Sequence, residues 1–140
     1  MTEFRFPVRV YWEDTDAGGV VFYANYLKFF ERARTEWLRA AGVEQQQLRD
    51  ETGAMFVVAE VQTRYVSSAR LDDLLDVTVR IEEQGAASMV IAQQVWRGQT
   101  LLAEGRIRIG CLQSASLKPC RIPKAVLQAL VNFTESRHTG

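Results

Sequence analysis

The sequence predicts an α+β domain in which one antiparallel sheet curls around a single long helix. Apolar residues first follow a helical period and afterwards a strand period, so helix and strands are segregated along the chain rather than alternating. The 140 residues, 47% of them apolar, suit one hydrophobic core. We therefore expect one domain over residues 1–134 and a flexible C-terminal tail over residues 135–140.

Composition excludes several functional classes. Lys and Arg total 17 and Asp and Glu total 17, which argues against a protein that wraps duplex nucleic acid. No stretch approaches the ~20 apolar residues of a membrane-spanning helix, and no signal peptide is evident, so we expect a cytoplasmic protein. The two cysteines, Cys111 and Cys120, lack C-x-x-C spacing, which argues against a disulfide framework or a zinc site.

The elements follow from residue periodicity. Residues 4–12 alternate as a strand, with Phe6, Val8, Val10 and Trp12 on one face. An acidic, glycine-containing loop over residues 13–19 follows it. Residues 25–41 then form a helix, whose apolar stripe comprises Tyr26, Phe29, Phe30, Ala33, Trp37 and Ala41. Gly42 is its expected end.

The second half of the chain predicts four strands between two short helices. The helices are expected at about 44–51 and 124–133, and the strands at 55–66, 74–82, 88–96 and 100–112. Gly85 and Gly98 mark turns between strands. The outer face and the edges of such a sheet need covering, so we expect a homodimer or a homotetramer.

The only histidine, His138, lies three residues from the C-terminus. Its position argues against Ser-His-Asp and Cys-His hydrolases and against histidine-ligated metals, so no metal site is expected. The remaining candidate is Asp14-Thr15-Asp16, which precedes two glycines and the long helix. The cluster either forms a turn or holds a carboxylate near a helix N-terminus, where backbone N–H groups can polarise a carbonyl.

Two segments carry a family resemblance. Residues 8–26, VRVYWEDTDAGGVVFYANY, and 29–36, FFERARTE, resemble the hotdog-fold acyl-CoA thioesterases. The likeness is strongest to the tol–pal-associated (YbgC-like) branch and weaker to the 4-hydroxybenzoyl-CoA thioesterases. Residues 70–75 and 117–124 resemble that branch too, and the likeness spans roughly residues 4–130. It implies a hotdog fold and hydrolysis of acyl-CoA to free acid and CoA, without a separate cofactor.

The resemblance also implies roles for residues. Asp16 would be the nucleophile or general base, and the backbone N–H of Tyr23 would polarise the thioester carbonyl. Asp14 would shape the loop and Asn25 would cap the helix. Substrate contacts are assigned to Trp12, Val21, Phe22, Glu31 and Ser88.

The chain departs from the family pattern at several positions, and the departure at Tyr23 leaves an alternative open. Tyr23 stands where that branch commonly has histidine, and Trp12 where it tends to have tyrosine. Residues 84–87, before Ser88, lack the basic side chains that some relatives have there. Arg64, Arg70, Arg108, Lys118 and Arg121 are other candidates for CoA phosphates. The alternative is a non-catalytic scaffold that binds acyl-CoA, acyl carrier protein or an envelope-biogenesis partner.

Overall fold

The computed structural model describes residues 3–139, with side chains described as far as residue 134. Five strands form one antiparallel sheet in the order β1-β3-β4-β5-β2. In chain order the elements are β1 (Phe4–Arg9), α1 (Asn25–Ala40), α2 (Gln45–Thr52), β2 (Ala54–Tyr65), β3 (Leu74–Gln84), β4 (Ser88–Arg97), β5 (Thr100–Gln113) and α3 (Lys124–Thr139). The predicted α+β architecture is confirmed. Within residues 3–139, no helix combines the length and the apolar content needed to cross a membrane.

The long helix α1 lies against the inner face of the sheet, as its periodicity predicts. Phe29, Phe30 and Ala33 are 0% exposed, and Tyr26 and Trp37 are also buried. Burial of large apolar side chains contributes roughly 1.5–3 kcal/mol each, so this stripe is a main source of stability. The helix is followed by Gly42, whose φ of 90° reverses the chain direction at low steric cost.

The ends of the first and last elements differ from the prediction. β1 ends at Arg9, and residues Trp12–Asp14 form a 3₁₀ turn instead of continuing the strand. Trp12 therefore does not extend the apolar face and is 79% exposed. Helix α3 continues to Thr139, beyond the expected end at residue 133. The side chains of residues 135–140, including His138, lie outside the described part of the chain.

The two faces of the sheet have different chemistry. The outer face carries ion pairs between strands, Arg64 of β2 with Glu104 of β5 at 2.7 Å and Arg106 of β5 with Glu82 of β3 at 3.1 Å. On the inner face, α1 leaves the edge strand β2 partly uncovered, because Val58, Val61 and Tyr65 are 48%, 39% and 44% exposed. The open apolar surface therefore lies beside α1, along β2.

The two cysteines meet where β5 pairs with the segment that follows it. Both are free thiols, with Cys111 Sγ and Cys120 Sγ 3.4 Å apart. Burial, together with the neighbouring Cys120 thiol, raises the pKa of Cys111 to about 12. Cys111 is therefore a protonated, unreactive core thiol at neutral pH.

Two glycines of β5 offer a test of core packing. A Cβ at Gly105 would lie 3.1 Å from Phe30 Cε2, whereas a Cβ at Gly110 would meet only Val57 Cγ2 at 4.0 Å. We expect Gly105→Ala to lower the free energy of unfolding by about 1–2 kcal/mol. Crowding against Phe30 in the folded core outweighs the stabilisation that comes from the lower conformational entropy of the unfolded chain. Urea denaturation measures this change. Gly110→Ala is the matched control and should be neutral or slightly stabilising; equal losses would contradict the packing argument.

Candidate active site

The loop between β1 and α1 closes on itself before the helix begins. The Asp16 N–H donates to the Val20 carbonyl at 2.9 Å, and the Phe22 N–H donates to the Asp14 carbonyl at 3.1 Å. Gly19, with φ at 80°, makes the tight return possible. The Val21 N–H donates to the Ala69 carbonyl at 2.9 Å, which ties the loop to the segment before β3.

Asp14 has a structural role, as predicted. Its side chain is buried, and Oδ2 accepts a 2.8 Å hydrogen bond from the Tyr11 N–H. Its backbone carbonyl also accepts a 2.8 Å hydrogen bond from Asn25 Nδ2. These bonds link the 3₁₀ turn, the returning loop and the first turn of α1.

The predicted helix cap at Asn25 is wrong. Ala24 is the N-cap residue and already has helical angles, φ −67° and ψ −21°, so Asn25 lies inside the first turn. Within the part of the chain whose side chains are described, none caps α1, since the Asn25 amide points back to the Asp14 carbonyl. This leaves the start of the helix open to a ligand.

Asp16 projects from the loop into solvent. Its Oδ1 accepts a 2.8 Å hydrogen bond from the Gly18 N–H, which fixes the orientation of the carboxylate. Among residues 3–134, no hydrogen bond to Oδ2 is present. The turn interpretation and the reactive interpretation of this aspartate are therefore compatible, because one oxygen holds the turn and the other is free.

The backbone N–H of Tyr23 is also free. Within the described residues it donates no hydrogen bond, while the N–H groups of Asn25, Tyr26 and Leu27 already donate to earlier carbonyls. An N–H at the start of a helix carries part of the positive end of the helix dipole. It is a suitable donor to an oxygen that becomes negatively charged.

The segment that leads into α1 carries three exposed aromatic side chains. Trp12, Phe22 and Tyr23 are 79%, 44% and 63% exposed. The Tyr23 ring lies 4.8 Å from Phe22 and 6.0 Å from Tyr65, measured between centroids. The rings offer an apolar surface for a ligand next to the free donor.

Tyr65 is a site residue that sequence reasoning missed. It lies at the end of β2, and its ring also packs 5.4 Å from Tyr26. Burial raises the pKa of Tyr65, and the neighbouring Tyr23 and Tyr26 raise it further, so its hydroxyl stays protonated at neutral pH. Only the strand alternation hinted at an inward side chain; no local signal connects Tyr65 with the distant loop.

A charged clamp holds the segment that anchors the loop. Arg97 donates to Asp73 Oδ2 at 2.9 Å and to the Ser68 carbonyl at 3.2 Å. Burial alone would raise the pKa of Asp73, but the Arg70 N–H and the Arg97 guanidinium outweigh it and hold the pKa below its usual value. These bonds fix the segment whose Ala69 carbonyl accepts the hydrogen bond from the Val21 N–H of the loop.

The sequence-assigned residues fall into two groups within one chain. Asp16 and Tyr23, with the exposed Trp12 and Phe22, belong to the loop end, and Val21 is buried beneath them. Ser88 is the first residue of β4. The last residue of β4, Arg97, contacts Ser68 in the segment that holds the loop. At ~3.3 Å per residue, Ser88 lies roughly 30 Å from that end. Glu31 lines a cavity farther along α1. A single chain does not bring Ser88 and Asp16 together.

Comparison with known proteins decides the family. The model of the thioesterase-like superfamily matches residues 10–130. The chain belongs to this superfamily. It is 44% identical to the acyl-CoA thioesterase YbgC of Haemophilus influenzae, over 90% of this chain and 93% of that protein. It is also 44% identical to the acyl-CoA thioester hydrolase YbgC of Escherichia coli O157:H7, over 90% and 94% of the two chains.

A solved structure supports the same assignment. The probable thioesterase from Bartonella henselae superposes with a TM-score of 0.81 at 33% identity, covering 86% of this chain and 99% of that one. The hotdog fold implied by the sequence resemblance is confirmed, and this member of the thioesterase-like superfamily is a thioester hydrolase.

Substitutions at Gly18 and Gly19 test two properties separately, the position of the Asp16 carboxylate and the stability of the loop. A Cβ at Gly18 would lie 3.2 Å from Asp16 Oδ1, whereas a Cβ at Gly19 would meet no described atom within 4 Å but would sit at φ 80°. We expect Gly18→Ala to lower kcat about tenfold by displacing the carboxylate. Gly19→Ala should instead lower the free energy of unfolding by about 1 kcal/mol. Steady-state kinetics and thermal melts of both variants measure this difference; reversed effects would contradict it.

Proposed function

We propose that this thioesterase hydrolyses acyl-CoA to a free acid and CoA, with Asp16 as the reacting carboxylate. The observation that carries the proposal is one short loop that offers a carboxylate oxygen without a partner and a free N–H at an uncapped helix start. The identity of 44% to named acyl-CoA thioesterases supports the substrate class.

In the proposed reaction, the thioester carbonyl oxygen accepts a hydrogen bond from the Tyr23 N–H. Asp16 then either attacks the carbonyl carbon or takes a proton from an attacking water. Attack by Asp16 expels CoA thiolate and leaves an acyl-aspartyl anhydride, which water cleaves to the acid and the original carboxylate. Attack by water gives the same products in one addition and elimination. Both routes use only water, the carboxylate and the N–H, so we propose no cofactor beyond the CoA of the substrate.

The departure at Tyr23 restricts the chemistry of its side chain. An imidazole can accept a proton at neutral pH, whereas a phenol is a poor base there. The ring instead packs against Phe22 and Tyr65. We therefore assign no proton transfer to the Tyr23 hydroxyl and give the Tyr23 ring a role in shaping the acyl surface.

We further propose that two copies pair through the edge strand β2. The strand is 12 residues long, and its edge is not paired within the described chain. Antiparallel pairing of two such edges would cover Val58, Val61 and Tyr65, which are exposed beside α1. It would also place the Tyr65 end of one β2 beside the Phe56 end of the other. The Ser88 end of one copy would then approach the Asp16 loop of its partner, which would unite the two groups of site residues.

The test is thiol release from a panel of acyl-CoA substrates, from short to long and aromatic acyl groups. Multiple turnovers that depend on Asp16 would establish the proposal and the acyl preference together. Saturable acyl-CoA binding without thiol release would overturn it in favour of the scaffold alternative. We also propose a cytoplasmic location and a link to the cell envelope. Acyl carrier protein can be tested as an alternative carrier of the acyl group in the same panel.

A further inference from the structure

A cavity of about 260 Å³ lies between α1 and the inner face of the sheet, away from the Asp16 loop. Most of its wall is apolar and includes Trp37, Leu38, Phe56, Met89, Ile91 and Ile109. None of the loop residues Asp14, Asp16 or Tyr23 lines it. The cavity is therefore a candidate ligand site in its own right.

The wall also contains an arginine in a fixed position. Arg34 Nη1 donates a 3.0 Å hydrogen bond to Gln93 Oε1. Gln93 is 1% exposed, and its Nε2 donates to the carbonyls of Phe30 at 3.1 Å and Thr78 at 3.3 Å. These two bonds fix the amide so that its oxygen faces the guanidinium. Arg34 is held at the cavity rather than extended into solvent.

The Arg34 guanidinium has no direct carboxylate partner among the side chains that the structure describes. Among residues 3–134, no acidic side chain lies within ion-pair distance of its guanidinium. Glu31, one helical turn earlier and exposed, acts on it only through space. Burial lowers the pKa of Arg34, and the charge of Glu31 partly offsets this effect. A half-buried cation with several unused N–H donors favours an anionic ligand.

We propose that this cavity binds a free, unbranched medium-chain carboxylate, with the head group on Arg34 and the alkyl chain against the apolar wall. The ligand must join one negative charge to an apolar chain, because the cavity presents one anchored cation in a wall that is mainly aliphatic and aromatic. The other polar side chains of the wall are Glu31, Thr35 and Gln45. The acid released by a thioesterase belongs to this class. The inference rests on the cavity alone and does not require that Asp16 be catalytic.

Calorimetric titration of the purified protein with octanoate and with octanol tests the proposal directly. The two ligands share a chain length and differ in charge. We expect saturable octanoate binding that is at least about tenfold tighter than octanol binding, since hydrogen bonds to charged groups contribute roughly 1.5–3 kcal/mol. Butanoate should bind more weakly than octanoate because it buries less apolar surface. Absence of saturable octanoate binding, or equal affinity for octanol, would overturn the proposal.

Three substitutions on α1 have different expected effects. Arg34→Gln should weaken octanoate binding at least about tenfold and leave octanol binding within about twofold. Glu31→Gln should tighten octanoate binding about twofold, because it removes a nearby negative charge. Arg32→Gln is the matched control and should change nothing, since exposed Arg32 faces another groove beside Arg9 and Tyr11.

Other outcomes of these titrations would contradict the proposal. An Arg34→Gln variant that melts like the wild type and weakens both ligands equally would show that the guanidinium does not bind the head group. If that variant fails to fold, Arg34→Lys and Glu31→Gln carry the test. Arg34→Lys should retain preference for octanoate over octanol, and loss of that preference would overturn the proposal. Octanoate binding can be measured whether or not acyl-CoA is hydrolysed, so the two proposals fail separately.

Discussion

Replacing Asp16 with asparagine is expected to lower kcat for acyl-CoA hydrolysis by about 10²- to 10⁴-fold, the usual range for loss of a general base. Asparagine keeps an oxygen that can accept the Gly18 N–H hydrogen bond, so the loop should retain its shape. What the variant loses is the negative charge and the reactive oxygen. Initial rates of thiol release, with circular dichroism to check the fold, measure the effect.

Glu13→Gln is the matched control for Asp16→Asn. Glu13 is an exposed carboxylate of the same loop, so this variant changes the local charge by the same amount without altering the Asp16 carboxylate. We expect its kcat to stay within about twofold of the wild type, because exposed charges have weak effects in water. A folded Asp16→Asn variant with wild-type turnover would contradict the mechanism. Equal losses of kcat in both variants would show that only the net charge of the loop matters, and not the Asp16 carboxylate itself.

Val61→Lys is expected to separate the proposed dimer and to lower activity per chain about 10²-fold, a typical cost of misplacing a site group. Val61 is 39% exposed on the face of β2 beside α1, where the partner copy would cover it. A buried lysine without an acidic partner is strongly unfavourable. Light scattering after size exclusion measures the mass of the assembly, and thiol release measures the activity.

Gln62→Lys introduces the same charge at the next residue of the strand. Because successive side chains point to opposite faces, Gln62 lies on the charged outer face near Arg64 and Glu104. This control should keep both the wild-type mass and the wild-type activity. Wild-type protein that is a monomer in solution and still hydrolyses acyl-CoA would contradict a site shared between two copies, whatever the result for the variants.

The sequence by itself determined the fold class, the long helix and most strand positions. The apolar stripe of α1 and the alternation in β3 are local patterns, and burial of one face is enough to specify them. The acidic loop could also be singled out from local sequence, because its aspartates and glycines directly precede the long helix. Asp14 and Asp16 are two residues apart, yet only the fold separates their roles, because Asp14 is buried under the 3₁₀ turn and Asp16 is exposed.

Tertiary structure decided what depends on contacts between distant segments. The exposure of Trp12 follows from a turn that replaces the predicted end of β1, and the uncapped start of α1 follows from Asn25 bonding the Asp14 carbonyl. Tyr65 joins the site because β2 ends beside the helix. Arg34 and Gln93 meet only when α1 packs on β4. Residue periodicity encodes which face is buried, but not which polar groups from different elements will meet there.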